Sequence, residues 1–160
     1  MLKRKSIVLI AGLAICLVIA LFFALKIFPG STGSDGVSIK LNNANNLGSL
    51  SFDLTYDASR LQCAEAKAAK LAEGAMFEAN LKEIGRVRIA LISSKGITGT
   101  GDLVTLVFKP IGEGGESQLE LREVLANTAA TLVDIRVEVT GGTYSSQNQT
   151  FKSPEIRLLN

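Results

Sequence analysis

The sequence predicts an all-β antiparallel sandwich preceded by a single transmembrane helix. Three observations predict it. One uninterrupted apolar run, Ile7 to Leu25, lies close to the amino terminus; several short runs of alternating apolar and polar residues follow position 36; and Gly-rich or Asn-rich turn segments separate those runs at short intervals. With a membrane segment set aside, the 160 residues hold one ordinary domain.

The apolar run is 19 residues long. At about 1.5 Å per residue it spans roughly 28 Å as a helix, close to the hydrocarbon thickness of about 30 Å. Lys3, Arg4 and Lys5 precede it and only Lys26 follows, so the positive-inside rule keeps the amino terminus in the cytoplasm and sends the remainder outside. The expected organisation is a cytoplasmic basic flank at 1–6, a transmembrane helix or uncleaved signal anchor at 7–28, a Gly/Ser linker at 29–36, a β domain at 37–144 and a C-terminal tail at 145–160. A cleaved leader needs an apolar region of only about 7–15 residues, so an anchor is expected; cleavage before Ser34 is the alternative. Cys16 falls inside the run behind the bulky Ile15, which suits a buried thiol rather than a lipid-attachment site.

Composition removes whole classes of chemistry. Four of the 17 basic residues lie in the first 30 positions, leaving 13 against 15 acidic residues in the body and no basic surface for nucleic-acid phosphates. His is absent and Cys occurs twice, which excludes imidazole-based triads and Cys/His zinc sites. The Gly-rich stretches Gly96 to Gly101 and Gly112 to Glu116 lack the Lys-Ser/Thr of a phosphate loop and read as turns. Asn42, Asn43, Asn45 and Asn46 lack the alternating acids of a calcium loop. Asp53 and Asp57 lack the aromatic cleft that glycosidase carboxylates occupy. No catalytic residue, cofactor or metal is therefore expected. Trp is absent, and most of the seven Phe and two Tyr sit at core-like positions, so a sugar-stacking platform is hard to build. Cys63 is alone in the exported body and is expected as a buried core thiol. Asn148-Gln149-Thr150 matches the N-glycosylation acceptor.

Along the body, Val37, Ile39 and Leu41 alternate with polar residues and predict a strand at about 36–41. The Asn-rich segment 42–48 predicts a tight loop. Leu50, Phe52, Leu54 and Tyr56 alternate with Ser49, Ser51, Asp53 and Thr55, predicting a second strand at about 49–56 with its polar row toward solvent. Further strands are expected at Arg86 to Leu91, Leu103 to Phe108, around Leu119 and Leu121, and at Leu132 to Val139, the last running to Gly141-Gly142. From Ala58 to Glu83 the reading stays open. Leu61, Ala64, Ala68, Leu71, Ala75 and Ala79 recur at helical spacing, whereas a sandwich needs a strand near 61–67.

The run L-S-F-D-L-T-Y-D-A-S-R-L (Leu50 to Leu61) resembles the strand and turn of cohesin domains. E-G-A-M-F (Glu73 to Phe77) with Asn80, G-R-V-R-I-A-L-I (Gly85 to Ile92), I-T-G-T-G-D-L-V-T-L-V-F-K (Ile97 to Lys109) and Gly141-Gly142 before Thr143-Tyr144 resemble successive blocks of that family, over about 37–144. The resemblance implies a nine-stranded jelly-roll sandwich, similar in architecture to carbohydrate-binding modules, that binds a dockerin module through one sheet face and has no catalytic activity. It also implies a strand at 61–67 with a helical turn near 70–77, and places any calcium in the partner's loops.

The expected function is that of a membrane-anchored, extracytoplasmic protein-interaction module. A structural or accessory subunit of an envelope secretion or pilus assembly is the alternative, and a carbohydrate-binding module is a more distant one. The expected partner face carries Ser49, Ser51, Asp53 and Thr55, with Arg86 and Arg88 on a neighbouring strand. On this expectation Asp53 is exposed, and Asp53→Lys leaves stability within about 0.5 kcal/mol. The topology has its own test. Protease added to intact cells is expected to remove the body, and a body protected until the cells are permeabilised would reverse the orientation.

Overall fold

The alternating runs are realised as nine strands among residues 36–112 and 114–159, the residues described by the computed structural model. In chain order they are β1 (Gly36–Thr55), β2 (Leu61–Ala68), β3 (Met76–Asn80), β4 (Arg86–Pro110), β5 (Glu116–Thr128), β6 (Arg136–Thr140), β7 (Gly142–Ser145), β8 (Thr150–Lys152) and β9 (Glu155–Leu159), with one 3-10 turn at Lys70–Ala72. β3, the first half of β4, the second half of β1 and the second half of β5 form one antiparallel layer, in which Asn80, Arg88, Asp53 and Arg122 lie level. β2, the second half of β4, the first half of β1, β9 and β6 form the other; β9 joins β1 in parallel at Lys40 to Asn42. A short ribbon of β7 and β8 extends the start of β5.

One core fills the space between the layers. Ile39, Leu41, Leu47, Leu50, Phe52, Leu54, Ile89, Leu91, Leu106 and Phe108 are all fully buried in it. The aromatic side chains pack there against one another: Tyr56 meets Phe108 edge-on at 5.2 Å, Phe108 stacks on Phe151 at 5.8 Å, and Tyr144 lies 4.7 Å from Phe151. Cys63 is buried as expected, and desolvation pushes its thiol up to about 11.

Several expectations are corrected. The predicted loop at 42–48 is part of β1, which continues through it by bulging. Asn43 and Asn46 take left-handed φ values of 59° and 57°, which Asn tolerates, and their N–H groups donate to Thr100 Oγ1 and Thr98 Oγ1, each at 3.1 Å. The predicted turn at Gly96 to Gly101 likewise lies inside β4. Gly suits position 96, where φ is +73° and a Cβ would collide with Asn46 Oδ1 unless that side chain moved. The open segment 58–83 is resolved as the resemblance implied, with strand β2 at Leu61–Ala68 and the 3-10 turn at Lys70–Ala72 before β3. Ala64 and Ala68, which carried the helical spacing, are exposed, and a bulge between Cys63 and Glu65 obscures the strand's own alternation. Only Arg136 onward of the predicted strand at 132–139 forms β6. Leu132 and Val133 are exposed in a turn held by Thr128 N–H to Val133 O at 3.0 Å and by Asn127 Nδ2 to Asp134 Oδ1 at 2.6 Å.

The stretch expected as a tail, 145–160, carries the strands β8 and β9. Ile156 and Leu158 are fully buried, and among the described residues β6 pairs with β9 alone, so the last strand helps attach β6 to the sandwich. Among the described residues no helix is long and apolar enough to cross a membrane. The expected flank at 1–6, the span at 7–28 and the linker up to residue 35 lie outside the described residues.

Leu158→Ala removes a fully buried side chain from this attachment and is expected to cost about 3 kcal/mol in denaturant unfolding. Hydrogen exchange at 137–139 is expected to accelerate more than at 87–91, because among the described residues β6 has no second sheet partner.

Candidate functional site

Inward Leu50, Phe52 and Leu54 leave Ser49, Ser51, Asp53 and Thr55 on the outer surface of the β3–β4–β1–β5 layer. Strand pairing sets Ile92, Ala90, Arg88 and Arg86 level with them on β4, and Asn127, Leu125, Arg122 and Glu120 on β5. Met76, Glu78 and Asn80 of β3 complete the rows outside β4. The six residues expected at the partner face therefore share one surface.

That surface has two zones. In the first, Met76, Ile92 and Leu125 are 74%, 55% and 67% exposed, with half-buried Ala90, Ser49 and Ser51 between them. Small side chains in the middle and large apolar ones at the sides make a shallow apolar floor. Sequence reading did not identify Met76, Ile92, Leu125 or Glu123. Ile92 shares parity with Arg86 and Arg88, a signal present in the sequence. Met76 lay in the segment whose period was ambiguous, and a bulge conceals Leu125.

The second zone is an ion network centred on Asp53. Its carboxylate accepts from Arg88 Nε at 2.9 Å, from Arg88 Nη2 at 3.1 Å and from Arg86 Nη2. Arg88 Nη2 also donates to Glu123 Oε2 at 3.2 Å, and Arg86 lies 3.5 Å from both Glu83 and Glu123. Glu123 reaches the network because β5 bulges there. Ser51 is level with Leu125 while Asp53 is level with Arg122, and Glu123 takes a φ of 51°.

Here the expectation for Asp53 is corrected. Asp53 does face outward, but the two guanidiniums cover it and it is only 2% exposed. Hydrogen bonding from Arg88, reinforced by Arg86 and opposed by desolvation, holds its carboxyl down at about 2. Asp53→Lys would bury a third cation beside Arg86 and Arg88, so the tolerance expected of an exposed site does not apply. Ser49, Ser51 and Thr55 are half-buried, and Ser49 Oγ donates to Asn127 Oδ1 at 3.2 Å.

Among the described residues the other polar features form local networks. Asp57 accepts from Ser59 Oγ at 2.6 Å, Ser59 N–H at 2.9 Å and Arg60 Nε at 3.0 Å, which holds its carboxyl below the usual range and closes the turn into β2. Asp53 and Asp57 are thus committed to separate local networks. A polar cleft of about 390 Å³ between β1, β6 and β9 is lined by Asn42, Thr100, Glu138, Glu155 and Arg157 among others, with no aromatic ring on which a sugar could stack. Among the described residues no group of three His, Cys, Asp or Glu side chains is placed to hold a metal ion.

A family model for the cohesin domain matches residues 29–145. Solved structures share the fold. The non-cellulosomal cohesin of the hyperthermophilic archaeon Archaeoglobus fulgidus is 13% identical with a TM-score of 0.51, covering 78% of this chain and 83% of its own. The sixth cohesin of scaffoldin B from Acetivibrio cellulolyticus, solved in complex with a dockerin, is 15% identical with a TM-score of 0.55, over 78% and 96% of the two chains. A type I cohesin–dockerin complex from Clostridium thermocellum gives 11% and 0.56, over 76% and 95%. No curated protein sequence matches the chain.

Asp53 gives a signed prediction. Its carboxyl titrates lower in the folded chain than the ordinary 3.8, so its contribution of about 2 kcal/mol is complete above about pH 4 and is lost as the pH falls toward 2. Asp53→Asn is expected to cost about 2–4 kcal/mol at pH 7, since it removes the one buried carboxylate that both Arg86 and Arg88 bond and leaves them only the exposed Glu83 and Glu123, and to flatten the acid limb of stability against pH. Unfolding midpoints between pH 2 and 7 measure both effects.

Proposed function

The chain belongs to the cohesin domain family, and from that premise we propose that it is a non-catalytic protein-interaction module whose β3–β4–β1–β5 face receives a dockerin-type partner. The observation that carries this reading is the exposure of Met76, Ile92 and Leu125 across three strands of one face, bordered by the Asp53 network. Large apolar side chains on a rigid sheet, surrounded by charge, match the pattern of an apolar interface centre with a polar rim. Dockerins are the partners in the Acetivibrio cellulolyticus and Clostridium thermocellum complexes. The aromatic packing of Tyr56, Phe108, Tyr144 and Phe151 argues against a carbohydrate platform, because those rings serve the core.

The proposal includes display outside a membrane. The run Ile7 to Leu25 behind Lys3, Arg4 and Lys5 supports an anchor at 7–28 with the amino terminus inside, and the Gly/Ser linker at 29–36 supports a tethered β domain. The burial of Ile156 and Leu158 supports extending that domain to residue 159.

Titration of the immobilised chain with calcium-loaded dockerin modules tests the face. Ile92→Lys and Leu125→Asp are each expected to weaken binding by about tenfold or more while leaving the unfolding midpoint nearly unchanged, because both side chains are exposed. Thr105→Lys, on the opposite layer, is expected to leave binding unchanged. Binding that responds to Thr105→Lys and not to the first two would move the interface to the other layer.

A further inference from the structure

We infer, on the reading of the face given above, that Glu123 selects the partner by charge: the segment seated on Met76, Ile92 and Leu125 carries Lys or Arg beside its apolar residues. In the network, three carboxylates, Asp53, Glu83 and Glu123, meet two guanidiniums, Arg86 and Arg88. One negative charge is therefore uncompensated. It does not reside on Asp53, which is buried and accepts from both arginines. It falls on the exposed members. Glu83 precedes β4 at the end of the face away from Ile92, whereas Glu123 stands two residues from Leu125 with its side chain 68% exposed.

The backbone adds a second argument. A Glu with a φ of 51° is in a conformation that non-Gly residues seldom adopt, and here it aims the side chain toward Arg88 at the border of the apolar zone. Arg122, the one cation on β5, is paired with Glu120 at 2.6 Å and does not cancel Glu123. Glu78, exposed on β3 and level with Ala90, puts a further carboxylate on the far side of the same zone. An apolar segment lying across β4 and β1 thus has a carboxylate on each flank. An acidic neighbour on that segment would be repelled, and a basic one would complete the network.

The test uses a calcium-loaded dockerin displayed with its surface residues randomised and selected on the full chain in nanodiscs. Enriched clones are expected to gain Lys and Arg over the input, to bind Glu123→Lys at least tenfold more weakly and Glu123→Gln by a smaller factor, and to lose affinity as salt rises. Selection repeated on Glu123→Lys is expected to enrich Asp and Glu instead. Enriched clones with no charge bias that still lose binding with Leu125→Asp would overturn the role of Glu123 and leave the face in place. Clones indifferent to Leu125→Asp, or no enrichment at all, would overturn the face and the charge selection together.

Discussion

β1 buries Val37, Ile39 and Leu41 before its Asn-rich stretch and Leu50, Phe52 and Leu54 after it, so the inward positions change from odd to even within one strand. A strand of period two can make that change only by bulging, and the rest of the sandwich accommodates the bulge. Asn43 and Asn46 supply the left-handed residues, Thr98 and Thr100 bond their N–H groups, and Gly96 leaves room for the Asn46 side chain. Because β4 accompanies β1 through the bend, each strand serves both layers: β2 and β9 assemble on one half of the pair, β3 and β5 on the other.

The same period places Asp53 opposite the arginines. Arg86 and Arg88 are two residues apart on β4 and therefore share a face, where both reach one carboxylate. A one-residue slip of β1 would turn Asp53 into the apolar core and Leu54 out to the arginines, an arrangement that strands a buried charge. The network thus acts first on register. Its contribution to stability is small beside that of the core, since desolvation of Asp53 opposes the attraction of its partners.

Much of this was legible in the residues, and what was not has identifiable causes. Val37 to Leu41, Leu50 to Leu54 and Val87 to Leu91 alternate cleanly and are buried as alternation requires, and the order of their blocks carried the family resemblance. Bulges account for most of the rest. They joined two expected strands into β1, disguised β2 as a helical pattern, and turned Leu125 and Glu123 onto the outer face. Parity located Asp53 on the correct side but said nothing of its cover, because burial there comes from long side chains on the neighbouring strand. In the C-terminal segment Ile156 and Leu158 did alternate, yet three apolar residues at the end of a polar stretch gave no hint that β9 would run parallel to β1.

The relation between the two zones of the face then follows from entropy. A long side chain that must be ordered at an interface costs about 0.5–1.5 kcal/mol on binding. Arg88 would be the most expensive such residue here, with a flexible stem beside the apolar floor, but Nε and Nη2 are both bonded to Asp53 before any partner arrives. Its freedom is lost on folding rather than on association. Glu123 is restrained in turn by Arg88 and by the bulge that carries it. On the proposed reading of this face, Asp53, buried beneath both arginines, is a positioning residue. On that reading Asp53 anchors the charged border, and the exposed Met76, Ile92 and Leu125 are the side chains a partner would order.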